Sequence, residues 1–208
     1  MTVLARRPPR SGPVVSSLGG RLVSFSDLPV AEFLRAVAAR EPAPGGGAVA
    51  AVSVASGAAL AAMAARFSPG MQDLVERADL LRAEVLPLAD AAAYGRVLAA
   101  YRMPRDAPER ATQIAATLSE AADIPLAIAR IGAEVASIGA RVFQAGNANL
   151  RGDALAAVRM AGAGARTAAA LARLNLAQAH LTDGRRQRAL AAVAAVAAAE
   201  AKTGLADA

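Results

Sequence analysis

Few side chains in this chain can do chemistry, and most that can are carboxylates or carboxamides set in apolar, helical sequence. Asp90 lies in Leu88-Ala89-Asp90-Ala91-Ala92-Ala93-Tyr94, with no lysine or arginine before Arg96. On an apolar helix face a carboxyl is held protonated by desolvation and suits proton transfer near neutrality. On the solvent side of the same helix it is an ordinary surface charge. Asn175 sits between Leu174 and Leu176, well inside a helix, where a buried amide needs a partner. Asn147 and Asn149 follow Gly146 at a helix end, where asparagine is a common stop. Asp153 suits the cap or first turn of the next helix. Arg105 is either a surface charge or a cation for an acidic substrate tail.

His180 is the one histidine and cysteine is absent. Disulfide scaffolds, thiol nucleophiles and cysteine–zinc sites are therefore excluded, and a histidine triad or an all-histidine metal centre is poorly supplied. No metal is expected. Pro44-Gly45-Gly46-Gly47 adds backbone chemistry: without Cβ atoms, this stretch can take positive φ or approach another molecule closely. A helix starting at Ala48 would present unpaired N–H groups and a positive dipole end there, a seat for an oxygen-rich or anionic ligand group. A tight connection between helices is the alternative. The run matches neither G-x-G-x-x-G after a strand nor a P-loop, which removes NAD and ATP as favoured ligands.

The elements that position these residues read as helices throughout. Asp27 can cap a helix carrying Leu28, Phe33, Leu34 and Val37, ending before Glu41-Pro42. An uncharged helix follows over 48–65, stopping near Phe67-Ser68-Pro69-Gly70. The spacing predicts a long third helix over 71–102, with Pro87 as a kink, and a fourth from Pro108 to Asp123. Pro125 marks the next break. Ile128, Ile131, Val135, Ile138 and Val142 form a stripe up to Gly146-Asn147. Two more helices are expected over 152–181 and 185–202. No alternating β-branched run argues for a strand, so the prediction is an all-α bundle of about seven helices.

With 208 residues, the chain suits one domain, expected over 26–205, behind a flexible tail at 1–25. That tail has arginines and prolines but no apolar segment for export, which points to a cytoplasmic protein. Basic residues outnumber acidic ones 23 to 17, yet aromatics are 3% and Arg185-Arg186-Gln187-Arg188 resembles the start of a solvated helix. Nucleic acid is not an expected partner. Nor is a membrane: 48–65 is built of Ala, Val, Ser and Gly, the composition of closely approaching helices in a soluble bundle.

Together these residues resemble the cyclodeaminase/cyclohydrolase family, which includes the cyclodeaminase domain of formiminotransferase-cyclodeaminase and stand-alone bacterial methenyltetrahydrofolate cyclohydrolases. The likeness runs through residues 28–34, Pro42 to Ala51, Asp90-x-x-x-Tyr94, Arg102-Met103-Pro104-Arg105, Ile124-Pro125-Leu126, Gly146-Asn147, Asp153 and Leu174-Asn175-Leu176. It implies an all-helical homodimer acting on a one-carbon-substituted tetrahydrofolate, the small-molecule substrate. By this resemblance, Gly45, Gly46 and Gly47 lie against the folate and Arg105 meets its glutamate tail. Asp90 transfers the proton, and Asn147, Asp153 and Asn175 orient the reacting groups. Departures from the family's pattern are Leu171 in place of Asn, Ala115 in place of Gln, Gly152 in place of Ser and Arg105 in place of Lys. The amides lost at Leu171 and Ala115 motivate a second expectation, the same scaffold retuned for ring closure or C–N chemistry on a non-folate substrate; a third, from a different class, is a non-catalytic helical binding protein.

Overall fold

The computed structural model describes residues 17–18, 21–22, 25–89 and 92–204. Its α-helices are α1 (Val30–Val37), α2 (Gly46–Arg66), α3 (Gln72–Val85), α4 (Ala92–Arg102), α5 (Arg110–Ala121), α6 (Asp123–Ala145), α7 (Arg151–Gln178) and α8 (Gly184–Ala201). The all-α expectation holds apart from one short ladder, β1 (Ser17–Leu18) against antiparallel β2 (Arg21–Leu22). This ladder falls in the stretch expected to be a tail, most of which lies outside the described residues.

There are eight α-helices among the described residues because the helix expected over 71–102 is two. α3 stops at Val85, Leu86–Ala89 is a 3-10 turn containing Pro87, and α4 starts at Ala92. Proline has no N–H to continue the ladder and its ring crowds the preceding turn, so it breaks the helix rather than kinking it. Pro125 does the reverse. It sits in the first turn of α6, where a missing N–H removes no bond, and only Ala122 separates α6 from α5. Asp27 is not a cap for α1; it belongs to a 3-10 turn, Phe25–Asp27, and Pro29 occupies the N-cap position.

The centre of the bundle is α2, α6 and α7. α2 and α7 run antiparallel, and the Ser53 hydroxyl donates to the Met160 carbonyl at 2.8 Å. A Cβ placed on Gly57 would lie 2.9 Å from the Ala157 oxygen and the Ala161 nitrogen, and one on Gly164 would lie 2.7 Å from the Ala50 oxygen. On α6, a Gly132 Cβ would meet Val54 Cγ2 at 2.8 Å and Ala165 Cβ at 2.9 Å. The three helices thus approach more closely than any side chain at those positions would allow. This accounts for the small-residue composition of 48–65. α2 is long and apolar enough to cross a membrane, yet 61% of its most apolar window is buried inside the fold, as befits a core helix.

Outer helices are pinned by charge. α3 is held to α6 by Arg77, whose Nη2 donates to Glu134 at 2.9 Å, and by the Arg130–Glu84 pair. α8 is held to α7 by Arg166, whose Nη1 donates to both carboxylate oxygens of Glu200 at 2.8 and 2.9 Å. The start of α8 differs from the expected solvated helix. Arg185, only 14% exposed, donates to the Ser119 carbonyl, the Ser119 hydroxyl, Asp123 and Asp183, clamping the α5–α6 junction. Hydrogen bonding to Asp183, opposed by burial and reinforced by Asp123, holds the Arg185 guanidinium above its ordinary range. The same hydrogen bond holds the Asp183 carboxyl below the usual carboxylate range.

Candidate active site

The glycine run forms the N-terminal mouth of α2. Gly45 is the N-cap, with φ −118° and ψ −160°, and its carbonyl accepts from the Val49 N–H at 3.1 Å. Gly46 and Gly47 are already helical, so the helix starts two residues before the expected Ala48. None of the three takes positive φ. A Cβ on Gly47 would meet nothing within 4 Å, one on Gly45 only the Pro42 oxygen at 3.9 Å, and one on Gly46 only Leu171 Cδ1 at 3.7 Å. Neither backbone conformation nor packing within the chain therefore demands glycine here. The N–H groups of the first turn precede the first helical hydrogen bond and open outward, with the positive end of the dipole behind them.

The C-terminal part of α7 passes this mouth. Leu171, half-buried, is the side chain against Gly46. One turn on, the Asn175 amide donates to the Ala121 carbonyl at 3.0 Å, tying α7 to the end of α5. No buried side-chain nitrogen or oxygen among the described residues lacks a partner. The Asn175 Oδ1, which accepts no hydrogen bond, is therefore within reach of solvent. Ala115 is half-buried on α5. Arg105 is exposed in the loop between α4 and α5, which Arg110 braces by donating to the Met103 carbonyl at 3.2 Å and the Tyr101 carbonyl at 3.1 Å. Sequence reasoning missed Arg110, although an arginine at a helix start beside a proline-rich loop is a cue. Asp90 lies outside the described residues; the 3-10 turn that precedes it packs on α2. His180 is exposed, with φ 56° just past the end of α7.

The other two predicted residues lie at the opposite end of the bundle. The Asn147 N–H donates to Ser68 Oγ at 2.9 Å, and that hydroxyl donates to the Ala64 carbonyl at 2.8 Å. The Asn147 side chain donates to the Phe67 carbonyl at 3.3 Å and accepts from the Asn149 N–H at 3.0 Å. Its amide closes the α6–α7 loop onto the C-terminal end of α2. Ser68 was missed as the anchor, though Ser68-Pro69-Gly70 was legible as a turn. Asp153 is half-buried in the first turn of α7, as expected. A cavity of about 210 Å³ at this end is lined by Gly70, Met71, Asp73, Leu74, Arg141 and Gln144. It is smaller than the roughly 300–1,000 Å³ usual for a small-molecule pocket.

At 1.5 Å per residue, the two ends of α2 are about 30 Å apart, as are Asp153 and Asn175 along α7. The structure thus brings Gly45, Gly46, Gly47 and Asn175 to one end and Asn147 and Asp153 to the other. The separation within one chain has a simple reason: α2 and α7 are antiparallel and both span the bundle. Among the described residues, no three His, Asp or Glu side chains are placed to hold a metal ion.

Fold and site define a class: an all-helical bundle whose glycine-lined helix mouth lacks a packing reason within the chain. The family profile for formiminotransferase-cyclodeaminase matches residues 29–196, and the chain belongs to that family. A methenyltetrahydrofolate cyclohydrolase of Methylorubrum extorquens is 35% identical over 153 residues, which are 66% of this chain and 74% of that protein. The formimidoyltransferase-cyclodeaminase of Sus scrofa is 32% identical over 146 residues, 62% of this chain but 27% of the pig protein. Among solved structures, formiminotetrahydrofolate cyclodeaminase from Thermotoga maritima superposes with a TM-score of 0.74 at 27% identity, covering 85% of this chain and 94% of that one.

Proposed function

We propose that the chain is a folate one-carbon enzyme that hydrolyses 5,10-methenyltetrahydrofolate to 10-formyltetrahydrofolate, with cyclodeamination of 5-formiminotetrahydrofolate as the related reaction. The likeness to the Methylorubrum cyclohydrolase, across most of both chains, carries this reading. In the hydrolysis, water adds to the methenyl carbon between N5 and N10 and loses a proton. The tetrahedral adduct then breaks its bond to N5, which is protonated as the adduct's hydroxyl gives up its proton, leaving the formyl group on N10. The chain has to hold the ring system, orient the carbon and move that proton.

The open helix mouth at Gly45, Gly46 and Gly47 supports a role against the folate. Asp90 is the proton-transfer candidate, Asn147, Asp153 and Asn175 the orienting groups, and Arg105 the cation for the glutamate tail. The exposure of Arg105 suits it to a flexible, solvated carboxylate. The reading carries with it a homodimer, a cytoplasmic location and no need for a metal. Purified chain mixed with methenyltetrahydrofolate should accelerate loss of its absorbance, and Asp90→Asn should lower that rate about 100-fold. No acceleration above buffer, together with no binding of folate analogues, overturns it.

One contact favours a second reading. Leu171 lies against Gly46, so an apolar side chain forms part of the mouth itself. The scaffold would then be tuned to a substrate less polar at that edge than a pterin. If this holds, Leu171→Asn raises activity on methenyltetrahydrofolate; if that variant is slower, the reading fails.

A further inference from the structure

We propose that Arg185 is a positioning residue: it holds the Ala121 carbonyl where that oxygen fixes the Asn175 carboxamide with Oδ1 turned outward, as an acceptor for a ligand N–H or O–H. The inference rests on the reading above, in which Asn175 orients the reacting groups.

The chain of contacts starts from a carbonyl without a helical partner. Ala121 is the last residue of α5, and an α-helical carbonyl takes the N–H of the residue four further on. That residue is Pro125, which has no N–H and whose ring crowds the carbonyl four residues back. Ala121 is buried, so its carbonyl needs a partner from elsewhere in the protein. Asn175 Nδ2 supplies it at 3.0 Å. A carbonyl oxygen only accepts, so reversing the carboxamide would set two oxygens against each other. The partner therefore decides which end of the amide faces outward, and it is Oδ1. Asn175 lies one turn beyond Leu171, the side chain against Gly46. At that place the protein offers an acceptor, suited to an N–H or O–H donor and opposed to a carboxylate.

Arg185 fixes the backbone on both sides of that carbonyl. Ser119 and Asp123 lie two residues before and two after Ala121. Arg185 Nη1 donates to the Ser119 carbonyl at 2.9 Å and to Asp123 Oδ1 at 3.1 Å, and Nη2 donates to the Ser119 hydroxyl at 2.8 Å. Nη2 also meets Asp183 Oδ2 at 2.7 Å, and Nε donates to the same oxygen at 2.9 Å. The five N–H groups of the guanidinium are thus all directed at acceptors on three residues. None is left for a ligand, so Arg185 acts through the α5–α6 junction. Only a planar fork spans these partners at once; a lysine is a point charge with three rotating donors. One polar chain runs from the first turn of α8, through the junction, to the amide on α7.

Two experiments on the full chain test this. Asparagine occurs only at 147, 149 and 175, so protein labelled with nitrogen-15 at asparagine gives three side-chain amide signals, and that of Asn175 is the one missing from Asn175→Ala. Arg185→Gln should move this signal and speed exchange of its hydrogens with solvent, leaving Asn147 and Asn149 in place. Pro125→Ala leaves the clamp intact but returns an N–H to the Ala121 carbonyl in competition with Asn175, and should move the same signal. An unmoved Asn175 signal in both variants overturns the proposal. In turnover of methenyltetrahydrofolate, Arg185→Gln should lower kcat/KM about tenfold in the wild-type background and less than about twofold in Asn175→Ala, because coupled residues are not additive. Its lowering of the thermal midpoint should be the same in both backgrounds. Equal losses of kcat/KM in the two backgrounds overturn the positioning role and leave a clamp for stability only. A wild type inactive on methenyltetrahydrofolate, with the amide signal moving as expected, leaves the polar chain standing and overturns the folate reading alone.

Discussion

The two ends of α2 are both marked by glycine, but for different reasons. At the far end, a Cβ on Gly146 would lie 2.5 Å from the Val142 oxygen and 2.7 Å from Ser68 Oγ, so the loop closes only because that position is bare. At the mouth, Gly47 has open space around it and Gly46 only an ordinary contact with Leu171. The waist between them behaves like the far end, with Gly57 and Gly164 pressed against backbone atoms. Glycine is thus used by the chain's own packing at the waist and the far end of α2 but not at the mouth. There the folate reading supplies a use for it in another molecule.

This contrast can be broken most forcefully at the waist. Gly57→Val drives a branched side chain into the α7 backbone and should cost about 3 kcal/mol or more, lowering the thermal midpoint followed by circular dichroism by roughly 6–12 °C. Gly146→Ala should cost about 2 kcal/mol in urea unfolding, through the clash and the strained Asn147–Ser68 bond. At the mouth, Gly47→Ala should leave stability unchanged or raise it by up to about 1 kcal/mol, since it adds a good helix former where there is room. The same variant should slow folate turnover. A destabilised Gly47→Ala protein would erase the distinction between the two ends.

The smallest effect lies off this axis, at the α5–α8 clamp. Asp183 has its carboxyl held below the usual range, so its contact with Arg185 contributes stability that is present above that usual range and lost as pH falls through the lowered value. Acid unfolding of Asp183→Asn should lack this component, with the two proteins converging at the lowest pH.

Most of the helical architecture was legible in the sequence, because caps, prolines and glycines are local signals. The misjudged positions are those where one residue type has two local uses. Pro87 and Pro125 look alike in sequence, but one ends a helix and the other begins one. Arg185 looked solvated because its partners, Ser119 and Asp123, are about sixty residues away. The candidate site residues can be named from the sequence, but their places in the fold cannot. Nothing in the order of Gly45, Asn147, Asp153 and Asn175 reveals that α2 and α7 are antiparallel, and antiparallel helices of this length separate what the sequence seems to group. Asn147 and Asn175 suit ligand chemistry by residue type, and both also hold the fold together.

The alanine packing of α2, α6 and α7 has a consequence for how the protein answers to temperature. Ordering an alanine costs no side-chain entropy, and burying one removes little apolar surface from water. A core built this way releases less hydrating surface per residue on unfolding than one of leucine and phenylalanine. Its heat-capacity increment should fall below the ordinary ~12–15 cal/mol/K per residue. The stability curve is correspondingly shallow, and the fold changes its free energy only slowly between cold and warm.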